Sequence, residues 1–139
     1  MESPVTLLDL TSRRAQRDRL ATLPVAIIGA GPIGLAAAAN LLERGIDFVI
    51  YEAGESAAAS IRLWGHTRLF SPWRPLVDPA SARLLGATGW SSPSENVAPT
   101  GRELVDLYLE PLANLDSITS RTQTGVEVIA VSREGMDRT

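Results

Sequence analysis

The residues Gly29-Ala30-Gly31-Pro32-Ile33-Gly34 form a G-x-G-x-x-G pattern directly behind the apolar run Val25 to Ile28. Short glycine patterns arise by chance, so the flanking sequence decides what this one means. An unbroken apolar run suits a strand buried on both faces of a parallel sheet. Pro32 has its φ angle preset and lacks an N–H that the first helical turn would leave unpaired, so it opens a helix. That helix is expected to run to about Arg44, with Ile33, Ala37 and Leu41 as its apolar face and Gly45 as its stop. Phe48, Val49, Ile50 and Tyr51 are β-formers that end at Glu52, before Gly54 breaks the pattern. Strand, helix and strand follow one another within about thirty residues.

Each part of this unit has a physical role in holding a dinucleotide. Gly29 permits the tight turn from strand to helix, Gly31 lacks a Cβ that would block an approaching pyrophosphate, and Gly34 allows close packing of helix on strand. Ala38, one turn later, keeps the same face small. The helix N-terminus presents free amides and a partial positive charge, so a diphosphate needs no lysine there. Glu52 lies eighteen residues beyond Gly34, where a carboxylate accepts hydrogen bonds from ribose hydroxyls. It would also repel a 2′-phosphate, which disfavours NADP at this position. The fold class expected is α/β, a Rossmann-type FAD/NAD(P)-binding domain with a parallel sheet. Its candidate cofactor contacts are Gly29, Gly31, Pro32, Ile33, Gly34, Glu52 and Ala53. FAD and NAD share these requirements, so the glycines and the acid leave both open.

Composition narrows the alternatives. A chain of 139 residues fits one domain, read as an N-terminal extension over 1–23 and the nucleotide-binding domain over 24–139. The extension holds Arg13, Arg14, Arg17 and Arg19 and is expected to form a short surface helix. A net charge of -3 lacks the basic footprint of a nucleic-acid binder. All 13 basic residues are arginine, which we take as coding bias. Cysteine is absent, which removes disulfides, thiolate metal sites and a redox-active cysteine pair. The first ten residues lack a signal-type apolar run, and the weakly polar stretch from Pro24 to Ala39 is too short to span a bilayer. A cytoplasmic protein without a membrane partner is expected. No metal site is anticipated.

Beyond the glycine unit, Ala53 to Pro99 reads as loop, punctuated by Pro72, Pro75, Pro79 and Pro93. So long an irregular stretch usually serves a ligand or partner. Thr100 and Glu103 form a capping box that starts a helix. Leu104, Leu107 and Tyr108 give that helix its apolar spacing, and Pro111 ends or kinks it. Asp106 and Glu110 read as a solvated face. Val126 to Val131 is expected to be a third strand. His66, the only histidine, cannot alone define a metal site or a triad. Arg62, Arg68 and Arg74 interleave with Trp64, Phe70 and Trp73, but the acidic total argues against single-stranded nucleic acid as their ligand.

Val25-Ala-Ile-Ile-Gly-Ala-Gly-Pro-Ile-Gly-Leu35, taken with Val49-Ile-Tyr-Glu-Ala-Gly54, resembles the N-terminal FAD fingerprint of the two-dinucleotide-binding-domain flavoproteins. These include flavin-containing monooxygenases and pyridine-nucleotide disulfide reductases. Further segments, Leu63-Trp-Gly-His66, Leu69-Phe-Ser-Pro-Trp73, Gly89-Trp90 and Pro99-Thr-Gly-Arg-Glu-Leu104, resemble bacterial monooxygenase-like members. The resemblance implies an FAD-dependent oxidoreductase with NAD(P)H as electron donor. It implies that Glu52 binds ribose, that Trp64 lies near the flavin or the pyrophosphate, and that the Val128 backbone contacts adenine, with Val126 as nearest competitor. Because the sequence has no cysteine after the glutamate, the monooxygenase-like branch is favoured over the disulfide reductases. The family's second glycine motif and flavin-closing C-terminal segment have no counterpart here, so the chain is expected to be an N-terminal piece with an incomplete fold. An NAD-binding dehydrogenase and a non-catalytic remnant remain the competing expectations.

Overall fold

A computed structural model of the chain describes Ala15 and residues 21–133. The surface helix expected over 1–23 therefore lies outside the described residues, apart from Ala15 and the last three. Strand β1 (Val25–Ile28) leads into helix α1 (Pro32–Glu43), which returns the chain to strand β2 (Phe48–Glu52). The two strands are parallel, with Val25 opposite Phe48 and Ile28 opposite Tyr51. Parallel neighbours need a crossover connection, and α1 supplies it.

Helix α1 ends as its sequence requires. Gly45 takes φ +64°, a left-handed conformation that glycine adopts without a Cβ penalty. Its N–H donates to the Leu42 carbonyl while the Ile46 N–H donates to Leu41, which closes a Schellman motif. The buried side of α1 differs from the expected one. Leu35, Ala38 and Ala39 are buried, with Ala37 and Leu41 only partly so, and Ile33 is 83% exposed. Ile33 sits in the first turn, at the rim, where the helix has not yet passed over the sheet.

A second crossover links β2 to strand β3 (Thr122–Thr124), which pairs parallel to β2 with Ile50 opposite Thr122. The sheet order is β1-β2-β3. The connecting stretch, expected to be loop up to Pro99, contains three short helices: α2 (Ala59–Leu63), α3 (Trp73–Leu76) and α4 (Pro79–Gly86). Asp78 caps α4 by accepting from the Ser81 N–H at 2.8 Å, and Pro79 fills the first helical position. Asp78-Pro79 followed by Ser81 is a helix start, because a proline at the first helical position opens a helix rather than breaking it.

The Thr100–Glu103 capping box forms as expected, at 3.1 Å from the Glu103 N–H to Thr100 Oγ1 and 2.7 Å from the Thr100 N–H to Glu103 Oε2. It opens α5 (Gly101–Leu104), which widens into a π-helical turn (Val105–Leu109) and continues as α6 (Glu110–Ala113). Pro111 therefore neither ends the helix nor passes without effect. It lacks the N–H that would bond to Leu107 one turn back, and the freed Leu107 carbonyl accepts from Trp90 Nε1 at 2.7 Å. The wide turn also shifts the buried face. Leu104, Val105, Tyr108, Leu109 and Leu112 are buried, whereas Leu107 is exposed.

Helix α7 (Asp116–Thr119) leads directly into β3. One core gathers Ile27, Phe48 and Ile50 from the sheet, Leu35 and Ala38 from α1, and Leu109, Leu112 and Ile118 from the second crossover. The opposite sheet face carries no comparable layer among the described residues. Ala26 and Ile28, which alternate with the buried Ile27 and so point to that face, are exposed, Ile28 at 59%, so β1 is not the doubly buried strand its apolar run suggests. The strand expected at Val126 to Val131 does not form either. Gly125, at φ +67°, ends the ladder, and Ile129 and Val131 are exposed. Strand propensity is realised only against a partner, and among the described residues this segment meets β2 only at its start, where the Val126 N–H donates to the Glu52 carbonyl.

Candidate dinucleotide site

The glycine turn is built by the end of β1. The Gly29 N–H donates to the Tyr51 carbonyl at 2.8 Å, which extends the β1–β2 ladder by one residue. Gly29 then takes φ +93°, a region open to glycine, and the chain reverses into α1. A Cβ on Gly34 would stand 1.9 Å from the Gly29 carbonyl oxygen and 3.3 Å from Ile27 Cγ2. That position is the close approach of helix to strand on which the whole unit depends.

Gly31 behaves in the opposite way. Among the described residues a Cβ there would meet nothing within 4 Å, so the space in front of it is open. Gly31 is the N-cap of α1 with extended backbone at φ -85° and no side-chain cap, and Pro32 follows at the first helical position. The amides of the first turn have no carbonyl one turn earlier to bond to, and they face outward with the positive end of the helix dipole. An open cradle, a bare helix start and a neighbouring carboxylate fit the diphosphate and ribose of an ADP moiety.

Glu52, half-buried at the end of β2, lies against this turn. Its Oε2 accepts from the Ala30 N–H at 2.6 Å and its Oε1 accepts from the Gly54 N–H at 2.8 Å. The same loop returns to Ala30 from the other side, for the Ala58 N–H donates to the Ala30 carbonyl at 2.9 Å. Ala58 is buried at φ +56°, the only left-handed non-glycine residue described. The sequence marks neither Ala30 nor Ala58 as a site residue, and it reads Gly54 only as the break after the strand and the end of the fingerprint segment. Gly54 carried a faint signal, a small residue two positions after an acid. Ala30 and Ala58 carried none, because their roles are made by backbone groups.

The remaining candidates are more dispersed. Ala53 is exposed beside Glu52. Trp64 caps the end of α2 remote from Ala58, and its ring rests on Gly101, where a Cβ would come within 2.8 Å of it. Val128 is half-buried and outside any strand, while the Val126 N–H donates to the Glu52 carbonyl at 2.9 Å, so this segment passes the acid. His66 is exposed. The interleaved arginines and aromatics part company: Trp73 enters the core, Phe70 is fully exposed, and Arg62 pairs with Glu110 at 3.3 Å. A cleft of about 220 Å³ between Arg62, Gly65, Arg102, Val105 and Asp106 sets two guanidinium groups beside Asp106 and Glu110, so its charges balance.

The sequence profile of the pyridine nucleotide-disulphide oxidoreductases matches residues 26–137. The chain belongs to this family. It is similar to the FAD-dependent monooxygenase adaC of Aspergillus niger, with 36% identity over an alignment of 95 positions that covers 60% of this chain and 23% of that protein. It is also similar to the FAD-dependent monooxygenase nscC of Aspergillus fumigatus, with 39% identity over 49% of this chain and 19% of the relative. Among solved structures, the bacillithiol disulfide reductase Bdr (YpdA) of Bacillus cereus matches with TM-score 0.60 and 26% identity over 81% of this chain and 31% of that one. The Staphylococcus aureus protein of the same name matches with TM-score 0.55 at 24% identity over 74% and 28% of the two chains, and bears on the fold alone. The fold is thus the Rossmann-type α/β arrangement expected, and the chain spans about a quarter of the curated relatives it matches. No cysteine is available in this chain for a dithiol pair. No described helix is long and apolar enough to cross a membrane.

Proposed function

We propose that the glycine turn of this oxidoreductase holds the ADP half of FAD, and that the chain is the FAD-binding portion of a monooxygenase-like flavoprotein drawing electrons from NAD(P)H. The observation that carries this is the pairing of an open Gly31 at an uncapped helix start with the Glu52 carboxylate at the end of β2. Gly31, Pro32, Ile33 and Gly34 would face the diphosphate, and Glu52, with Ala53 beside it, the ribose. A carboxylate accepts from 2′- and 3′-hydroxyls and repels a phosphate, which favours an unphosphorylated adenosine. Each Glu52 oxygen keeps acceptor capacity beyond its one backbone partner. The passage of Val126 beside Glu52 supports Val128 as the backbone contact to adenine, and half-exposed Trp64 is the aromatic we assign to the flavin side. The flavin, when bound, supplies the redox chemistry, and the protein supplies its placement and its electrostatic surroundings. The names of the fungal relatives support FAD over NAD, and the absence of cysteine supports the monooxygenase-like branch.

Gly31→Val tests the site directly. Gly31 has an ordinary φ and nothing within reach of a Cβ, so the variant keeps its fold by circular dichroism. Its branched side chain fills the cradle, so FAD retained by the parent after desalting is lost, as read from the visible absorption spectrum. Equal flavin retention in the variant would overturn the assignment. A parent that shifts its melting temperature with NAD and not with FAD would move the site to the nicotinamide cofactor. A parent indifferent to FAD, NAD and NADP would favour a non-catalytic remnant.

A further inference from the structure

We propose that Glu52 also positions the glycine turn itself, holding it in its nucleotide-accepting shape before any nucleotide arrives. A residue whose only task is to meet ribose needs a carboxylate aimed outward. Glu52 instead spends one lone pair of each oxygen on the protein: Oε2 on the Ala30 N–H, twenty-two residues earlier in the chain, and Oε1 on the Gly54 N–H, two residues later. Both are charge-assisted bonds, stronger than neutral ones and oriented by the acceptor. Ala30 is fully buried, and its N–H lies within the turn, where the chain has left the strand ladder and α1 has not begun. A buried amide left without an acceptor is costly, and among the described residues no other acceptor is given to this one.

The Ala30 carbonyl is held from the opposite side by the Ala58 N–H, and Ala58 occupies its left-handed conformation at that same point. A non-glycine residue in that region is strained and persists only when its surroundings fix it. Glu52 and Ala58 therefore grip the two polar groups of one residue, Ala30, from one loop. The peptide next to it is Gly31, whose open face is the proposed diphosphate cradle. A turn fixed in this way loses less freedom when a ligand binds, which is the advantage of preorganisation. Only that last step rests on the nucleotide assignment. The clasp itself stands on the hydrogen bonds of Glu52 and Ala58 to the chain.

Two substitutions separate this role from ribose contact. In Glu52→Gln a primary amide offers one acceptor oxygen and a donor NH2, so it cannot serve both backbone N–H groups at once. In Glu52→Asp the charge remains and an acid two residues before an amide still closes an Asx-type turn, so the Gly54 bond survives while the Ala30 N–H falls out of reach. Residue-resolved amide hydrogen exchange on the ligand-free 139-residue chain reads the outcome. The Ala30 amide should exchange about tenfold to a hundredfold faster in Glu52→Asp, with the Gly54 amide at the parent rate, whereas in Glu52→Gln the single oxygen protects one of the two amides and the other exchanges faster. The Ile50 amide, bonded to the Arg121 carbonyl in the sheet, is the reference for an intact fold. If Ile50 loses protection in Glu52→Gln, the Asp variant alone carries the test. An Ala30 amide that exchanges at the parent rate in Glu52→Asp, while ADP affinity falls, would leave Glu52 as a ribose ligand only and overturn the proposal. A parent chain that binds no ADP defeats the function proposed above without touching the exchange result.

Discussion

The β1–α1–β2 unit and the crossover from Gly54 to Arg121 are of similar importance to the core, yet they are specified by different means. In the first, each element is set by residues within a few positions of it: an apolar run, a proline at a helix start, a glycine at its Schellman stop, and an acid where the strand meets the turn. In the second, the helices are short, and several are held by groups far away in sequence. The Tyr108 hydroxyl accepts from the Asp78 N–H at 3.1 Å, Asn40 of α1 donates to the Asp78 carboxylate, and Trp90 donates to the carbonyl that Pro111 leaves free. The difference teaches that a nucleotide-binding turn is written locally, whereas the annex that closes the sheet behind it is written in pairs of residues 17 to 38 positions apart.

The comparison is broken most severely at Gly34. In Gly34→Ala the added methyl meets a backbone oxygen at 1.9 Å, with no flexible neighbour to yield. Destabilisation on the order of 3 kcal/mol or more is expected in urea denaturation, and a variant as stable as the parent would show that the turn is not fixed by this contact. Tyr108→Phe is next. It keeps the ring in the core but strips the Asp78 N–H of its acceptor, for an expected loss of about 1–3 kcal/mol by the same measurement. A neutral outcome would mean that the annex is held by packing alone.

Thr100→Ala removes one half of the capping box and should cost about 1 kcal/mol. Because that box is local, its loss should leave the Asp78 amide as protected from exchange as in the parent. The smallest effect belongs to the exposed link between the regions, Arg83 Nε to Glu43 Oε1 at 2.7 Å. The hydrogen bond from Arg83 holds the Glu43 carboxyl below its ordinary pKa. A carboxyl lowered in the folded state stabilises above its unfolded pKa, and that contribution is lost as pH falls through the folded value. Glu43→Gln should therefore lower the melting temperature slightly near neutral pH and match the parent in strong acid. A difference that persists in acid would locate the effect outside this ion pair.

Much of the site was legible because its parts are constrained by covalent geometry. Gly29 needs a positive φ, Gly34 needs a missing Cβ, and Pro32 needs a helix start, so each residue type names its own position. The short helices between Ala59 and Gly86 were hidden by prolines that act at helix starts as readily as they break chains. The apolar faces of α1 and of the π-widened helix were assigned one step off, since Ile33 and Leu107 fit a regular spacing while a rim position and a wide turn decide what is covered. The segment Val126 to Val131 has the propensity of a strand, but past Val126 no described strand pairs with it.

The sequence by itself determined the strand-turn-helix-strand unit, its three structural glycines, the acid at the end of β2 and the capping box at Thr100. These rest on backbone conformation and on hydrogen bonds between near neighbours, which a local pattern encodes. Only the tertiary structure decided that β3 is Thr122–Thr124, that one face of the sheet stays open among the described residues, and that Glu52 reaches back to the Ala30 amide. Those outcomes depend on which distant groups are brought within about 3 Å of one another, and hydrogen-bond partners at that range are chosen by packing rather than by spacing along the chain.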